Sequence, residues 1–254
     1  MLKFKTVNSI AVLIVVVLIL LKVSYWYIVL LFLVWLIITT IGSFHIRWNY
    51  HLTSLHKNYN TPKRQVAITF DDGPHVEFTP LVLDVLQGFN AKATFFCIGK
   101  HVEKHPELIK RILSEGHVIG NHTFSHSEQF GFFKTKTVLE ELRRANAVIK
   151  KNTGLELKLF RPPFGVTNPR IKRVLKSTQL ESIGWSVRSL DTTSKSKEVI
   201  VKNIQKKIKN GDVILLHDTS LKSVEILEQL LVFMKEKQLE SVTIPTLFNI
   251  KAYA

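Results

Sequence analysis

Five short runs in this 254-residue chain carry the side-chain types that hold and use a divalent metal. They are Thr69-Phe70-Asp71-Asp72-Gly73-Pro74, His122-Thr123-Phe124-Ser125-His126, Arg161-Pro162-Pro163-Phe164-Gly165, the stretch from Trp185 to Asp191, and Leu215-Leu216-His217-Asp218. Together they offer a carboxylate pair, two histidines four residues apart, an arginine and a separate histidine. Two imidazoles and one carboxylate make a three-ligand site with a position left open for water. A second carboxylate and a further histidine then supply a base and an acid, the parts of metal-assisted hydrolysis. Each run alone is weak; five in this order are not.

Adjacent residues at a strand end point in different directions, so Asp71 and Asp72 are free to take different tasks, one on a metal and one facing its water. Alone, Asp-Gly-Pro is only a turn signal. His122 and His126 share a face if a helix begins there. Two histidines and a carboxylate also describe non-haem iron oxygenases, and the extra base and acid are what favour hydrolysis. Cys97 is the only cysteine, lies in an apolar run, and reads as a small core residue.

The elements that must position these groups follow from the apolar pattern after Gln65. Strands are expected at Val66–Phe70, Ala93–Ile98, Val118–Gly120, Leu157–Phe160, Ser182–Trp185, Val213–Leu216 and Val242–Ile244. Helices are expected at Thr79–Leu86, Pro106–Glu115, Thr137–Lys151, Asn168–Ser177, Lys197–Asn210 and Ser223–Lys237. Buried runs alternating with amphipathic helices indicate parallel β/α units. Asp71, Asp72, His122, Arg161 and His217 all follow strands, where β/α barrels carry their catalytic groups. The fold class is therefore α/β, a distorted (β/α) barrel with one functional mouth.

The five runs resemble those of the NodB-type polysaccharide deacetylases, carbohydrate esterase family 4, over about Lys63 to Leu247. The resemblance implies a polysaccharide N-deacetylase, with Asp72, His122 and His126 on a divalent metal, zinc by default. It implies Asp71 as general base, Arg161 holding Asp71, and the Phe164 backbone N–H, next to Pro163, facing the oxyanion. His217 is then the acid that protonates the departing amine, and Leu215 lines the acetyl pocket. The first, second, third and fifth runs match closely, with Phe164 where tyrosine is usual. In the fourth, Arg188 stands where an aspartate is common and Thr192 where a tryptophan is common. That aspartate is assigned to tuning the acid histidine, and Asp191 is the residue left to take its place.

The remaining sequence concerns location. From Asn8 to Phe44 the only charge is Lys22. One helix of that length would run ~55 Å against ~30 Å of bilayer hydrocarbon. Two arms, Val7–Leu21 and Ile28–Ile41, broken at Lys22-Val23-Ser24-Tyr25-Trp26-Tyr27, fit better, and residues 1–44 read as a membrane hairpin contacting lipid. Residues 45–62 read as a linker and 63–254 as the catalytic domain. Lys3, Lys5, Arg47, Lys57, Lys63 and Arg64 favour the cytoplasmic side by the positive-inside rule. If one arm spans or the first is re-entrant, the domain lies outside; the expected location is the cell membrane with the domain on its outer side, the orientation left open.

The formal charge of +15 reads as a solvated basic face or as attraction to anionic lipid or an acidic cell-wall polymer. No nucleic-acid motif is present. His75 is expected to be exposed, His101, His105 and His117 to be surface or capping residues, His45, His51 and His56 to be interfacial, and Trp185 to be core. The expected activity is release of acetate from N-acetylhexosamine units of a peptidoglycan or chitin-like glycan. Rival readings are O-deacetylation of a xylan-like polymer, deformylation of a lipid-linked sugar, and a catalytically silent glycan-binding membrane protein.

Overall fold

The computed structural model describes residues 2–254. Its elements run α1 (Phe4–Leu20), α2 (Trp26–Phe44), β1 (Gln65–Asp71), α3 (Phe78–Gly88), β2 (Ala93–Cys97), α4 (Gly99–Lys104), α5 (Pro106–Ser114) and β3 (Val118–Asn121). They continue with α6 (Thr135–Thr153), β4 (Leu159–Phe160), α7 (Pro169–Thr178), β5 (Glu181–Ser182), β6 (Val187–Arg188) and α8 (Lys197–Lys207). The chain closes with β7 (Val213–His217), α9 (Leu221–Glu236), β8 (Glu240–Ser241) and α10 (Ile244–Phe248). The strands pair in the order β5-β4-β3-β2-β1-β7-β6, with β8 beside the start of β1. Every strand pair in this sheet is parallel. The sheet curls into a half-barrel that is open between β5 and β6.

Strand alternation decides which side chains face the interior. On β1, Val66, Ile68 and Phe70 pack in the layer beneath the helices, while Ala67 belongs to the inner cluster. Thr69 and Asp71 share the parity of Ala67 and point inward. On β7, Val213 and Leu215 are inner residues while Ile214 and Leu216 face helices, so His217 points inward. Asp71 and His217 are register partners on neighbouring strands. Leu159 on β4 is inner and Phe160 outer, which turns Arg161 to the interior.

Several elements differ from expectation, each for a local reason. Val242–Ile244 is not a strand: the Thr243 side chain accepts from the Thr246 N–H and Pro245 occupies the first turn of α10, a helix-start arrangement. The strand expected over Ser182–Trp185 ends with β5 at Ser182, and β6 begins only at Val187; between them the Gly184 N–H donates to Leu55 O at 2.8 Å instead of to a ladder partner. The helix α4 was not expected. No helix begins at His122; Thr123 and His126 have φ of +66° and +51°, so the two histidines meet through a loop and not through helical spacing.

The 45–62 segment, expected as a linker, packs on the domain. Ile46, Tyr50, Leu52 and Ser54 are buried, and Lys57 forms an ion pair with Asp212 at 2.8 Å. His51, expected at an interface with the membrane, is buried with Nε2 2.9 Å from the Ser43 hydroxyl. α1 and α2 form a hairpin whose open end rests on the domain: the Phe4 N–H donates to Tyr50 O at 3.0 Å and the Thr167 N–H to Ser43 O at 2.9 Å. Beyond that base, most large side chains of the hairpin are exposed, the exceptions lying where α1 and α2 face each other. By length and composition α2, of mean hydropathy 2.4, is apolar enough to cross a membrane.

Candidate active site

The site is assembled from the loops that follow β1, β3, β4 and β7, with the run after β6 beneath it. Backbone strain is concentrated there. Among the described residues, eleven non-glycine residues have positive φ, and five of them fall within the motif runs: Asp72, Thr123, His126, Phe164 and Leu190. Each such conformation costs about 1–3 kcal/mol, so tertiary contacts must hold these loops.

Asp72, His122 and His126 offer ligand atoms that lie within 4.8 Å of one another. His122 Nε2 is 3.4 Å and His126 Nε2 3.2 Å from Asp72 Oδ1. Ligand bonds of ~2.0–2.2 Å in a tetrahedron place donor atoms about 3.3 Å apart, so these separations suit one divalent ion. Asp72 Oδ1 is buried and without a hydrogen-bond partner among the described residues, an orphan that a cation would satisfy. The His122 Nδ1–H donates to Arg161 O at 2.9 Å, leaving Nε2 as the lone-pair donor, the usual support for a histidine ligand. Burial and the neighbouring His122 hold His126 down to about 4, which keeps it a neutral ligand. The His122 contact and the nearby imidazoles keep the Asp72 carboxyl well below the usual range, against the upward push of burial.

Asp71 is held by a buried cation. Arg161, fully buried, donates from Nη1 to Asp71 Oδ1 and to Thr69 Oγ1, both at 2.7 Å. Its other donors reach Ile183 O at 3.2 Å and Gly184 O at 2.9 Å, in the segment that follows the neighbouring strand β5. The guanidinium lies 4.1 Å from the Phe96 ring centroid. Asp71 Oδ2 faces His122 Nε2 at 3.8 Å, leaving one oxygen beside the candidate metal position.

Asp191 is fully buried and clamps His217 twice, accepting from the ring Nδ1–H and from the backbone N–H, each at 2.8 Å. The Ser189 and Ser223 hydroxyls also donate to it, at 2.7 and 2.9 Å. Burial alone would lower the His217 pKa; the bond to and charge of Asp191, with Asp71 and Asp72, raise it to about 9. A protonated imidazole with Nε2 3.8 Å from Asp72 Oδ2 can donate a proton into the cleft. Leu215 is buried beside it, Pro163 is buried, and the half-exposed Phe164 ring lies 4.9 Å from that of His126. The structure thus links Asp71, Asp72, His122, His126, Arg161, Asp191, His217 and Phe164 by direct contacts, while Pro163 and Leu215 are buried next to Phe164 and His217 along the chain.

Other groups here had no sequence signal. Glu141, one exposed-looking acid on α6, accepts from the Phe124 and Ser125 N–H groups at 3.1 and 2.8 Å and from the Ser125 hydroxyl at 2.9 Å, fixing the loop between the two histidines. Gly99 lets that loop approach: a Cβ there would sit 2.7 Å from the Phe124 ring. His101, expected at the surface, is half-buried and donates from Nδ1 to Asp72 O at 2.9 Å. His117, also expected at the surface, is buried, and its Nδ1 accepts the Ala93 N–H at 3.2 Å. His75 is partly exposed; its Nδ1 accepts from the Glu77 and Phe78 N–H groups at the start of α3. Trp185 is core, as expected, lying against Gly165.

Residues 58–183 match the family model described as polysaccharide deacetylase. A peptidoglycan-N-acetylglucosamine deacetylase of Bacillus cereus is 36% identical over 191 residues, covering 74% of this chain and 69% of that protein. The peptidoglycan-N-acetylglucosamine deacetylase PgdA of Listeria monocytogenes is 34% identical over 188 residues, 74% of this chain but only 40% of that longer protein. Among solved structures, the Bc1960 peptidoglycan N-acetylglucosamine deacetylase superposes with a TM-score of 0.74 at 34% identity, covering 79% of this chain and 94% of that one.

Proposed function

Since the chain belongs to the polysaccharide deacetylase family, and is by that membership a polysaccharide N-deacetylase, we propose that it removes N-acetyl groups from N-acetylhexosamine units of a peptidoglycan or chitin-like glycan with the help of a divalent metal, zinc by ligand type. One observation carries this reading: Asp72, His122 and His126 converge on a common point with a separately held carboxylate, Asp71, and a separately held imidazole, His217, on either side. A binding module has no use for both of those.

Asp72, His122 and His126 would hold the metal, which when bound supplies Lewis acidity to water and to the amide carbonyl. Asp71 is the base that takes the proton of the attacking water, and Arg161 keeps it ionised and aimed through a charge-assisted bond. The Phe164 N–H, on its left-handed residue after Pro163, faces the oxyanion as carbonyl oxygen gains charge. His217 gives its proton to the amine nitrogen as the carbon–nitrogen bond breaks, releasing acetate and a free amine. Leu215 shapes the space for the acetyl methyl. Asp191 holds the His217 ring in one tautomer and makes its protonated form available near neutral pH, the task for which it was singled out where Arg188 replaces the aspartate common in the family.

The apolar hairpin of α1 and α2 anchors the enzyme in a membrane, with the domain lying at the bilayer surface. The test is acetate release by the full chain in detergent from N-acetylglucosamine oligomers, peptidoglycan fragments and acetylated xylan, before chelation, after it and after zinc is restored. Chelator-sensitive release from an N-acetyl substrate is expected. Release from xylan alone, or release indifferent to chelation, would overturn the reading.

A further inference from the structure

Two cavities flank the last turn of α2, and neither is used by the mechanism. The first, about 570 Å³, lies between α2 and the catalytic loops, and its walls include Thr40, Phe44, Phe132, Phe164 and Val166. It is mainly carbon-lined, and Phe44, Phe132 and Phe164 are 59%, 79% and 51% exposed. Its inner end borders the active site through Phe164, whose ring packs on His126. Its outer end is the membrane-type helix, tied to the same loop by the Thr167–Ser43 backbone bond.

The second cavity, about 400 Å³, shares Phe44 and is lined by His45, Arg47, Arg188 and Lys207 around Trp185, with no carboxylate in its wall. Arg47 makes only a bond of 3.3 Å to Ser186 O, and among the described residues neither it, Arg188 nor Lys207 forms an ion pair with a carboxylate. Arg188 sits 5.9 Å from the Trp185 ring, whose far edge supports Gly165 in the oxyanion loop. Arg188 stands where the resembled family commonly has an aspartate, so this wall carries a cation at that position. An acid-free basic cavity at the end of an apolar helix stands at the level of bilayer phosphates.

We propose that the substrate is lipid-linked: an N-acetylamino sugar joined through a phosphate to a long apolar chain, with the phosphate held by Arg47, Arg188 and Lys207 and the start of the apolar chain along Phe44, Phe132 and Phe164. Charge complementarity selects a phosphate and the adjoining carbon-lined cavity selects its lipid; the two cavities meet at Phe44, and the carbon-lined one borders the catalytic loop at Phe164, whose ring packs on His126. The chemistry is unchanged: water adds to the acetyl carbon, the carbon–nitrogen bond breaks, acetate leaves and the phosphate link stays intact. The inference rests on the deacetylase reading and names its substrate.

The experiment uses the full chain in phosphatidylcholine vesicles, with acetate release measured from a soluble N-acetylglucosamine oligomer and from N-acetylglucosamine carried on a polyprenyl diphosphate. The wild type is expected to prefer the lipid-linked sugar by about tenfold or more in kcat/KM. The combined Arg47→Ala, Arg188→Ala and Lys207→Ala variant is expected to lose that preference while keeping its rate on the oligomer. Equal wild-type rates on the two substrates, or a preference untouched in the variant, would overturn the inference and leave the deacetylase reading standing. Activity on neither substrate would overturn both. If phosphatidylglycerol in the vesicles accelerates hydrolysis of the soluble oligomer through these three residues, the cavity holds a bilayer headgroup and the substrate assignment fails.

Discussion

Arg161 is a buried cation whose charge is matched by Asp71, and that pairing makes a quantitative prediction. Replacing it by methionine keeps length and apolar contact with Phe96 but leaves the buried Asp71 carboxylate, with its 2.7 Å partner gone, uncompensated. Breaking a buried pair on one side costs about 3–5 kcal/mol. Asp71→Asn alone leaves Arg161 buried but still bonded to Thr69, Ile183 and Gly184, and should cost about 2 kcal/mol. In the double variant no unpaired charge remains; what is lost is chiefly the donors to the Ile183 and Gly184 carbonyls, about 1 kcal/mol each. The double variant should therefore be more stable than Arg161→Met alone, with a coupling energy of about 3–5 kcal/mol. Urea unfolding of the full chain in detergent, followed by tryptophan fluorescence, measures all four corners of the cycle. Deacetylation should be absent in both Arg161→Met and the double variant, so recovery of stability without recovery of activity is the expected signature. Additive losses would show that the pair is not a matched buried charge and would refute the account of how Asp71 is held.

Glu141→Ala removes three bonds to the loop joining His122 and His126, and zinc affinity measured by calorimetry should fall about 10–100-fold although no ligand is touched. Asp191→Asn, which exchanges one acceptor of the His217 clamp for an amide, should lower kcat for acetate release by roughly 100- to 10,000-fold with a smaller effect on KM; an equal rise in KM would argue for a binding role instead. Burial, then the nearby Lys92, holds His117 at about 4 against the usual 6.5. Below 6.5 the unfolded chain takes up a proton that the folded one refuses, so the stability present above that value is lost as pH falls towards 4, by at most about 3 kcal/mol. His117→Gln should flatten that part of the stability–pH curve, and an unchanged slope would contradict the neutral, accepting imidazole.

The sequence by itself fixed the donor types. The five runs carried the carboxylates, imidazoles and arginine from which the proposed ligands, base and acid are drawn, and the alternation of apolar runs with amphipathic helices carried the parallel β/α architecture, because period-2 and period-3.6 patterns are local properties of the chain. The same locality set its limits. Two-residue strands such as β4, β5 and β6 leave no pattern to detect, and Thr243-Ile244-Pro245 reads as a strand until its capping bond is seen. His122 and His126 suggested a helical pair, yet their ring positions come from left-handed residues braced by Glu141 and Gly99, partners distant in sequence. Residues 45–62 looked like a linker because their burial depends on surfaces supplied by residues 182–212.

Only the tertiary structure decided how the parts work on one another. It turned Arg161 from the end of β4 across the barrel interior to Asp71 on β1, and buried Asp191 against His217 with two bonds. It also set the end of α2 beside the catalytic mouth, with a basic cavity on one side and a carbon-lined one on the other. Residue identity determines which chemistry is available; burial, charge pairing and access are sums over neighbours that the chain meets only when folded.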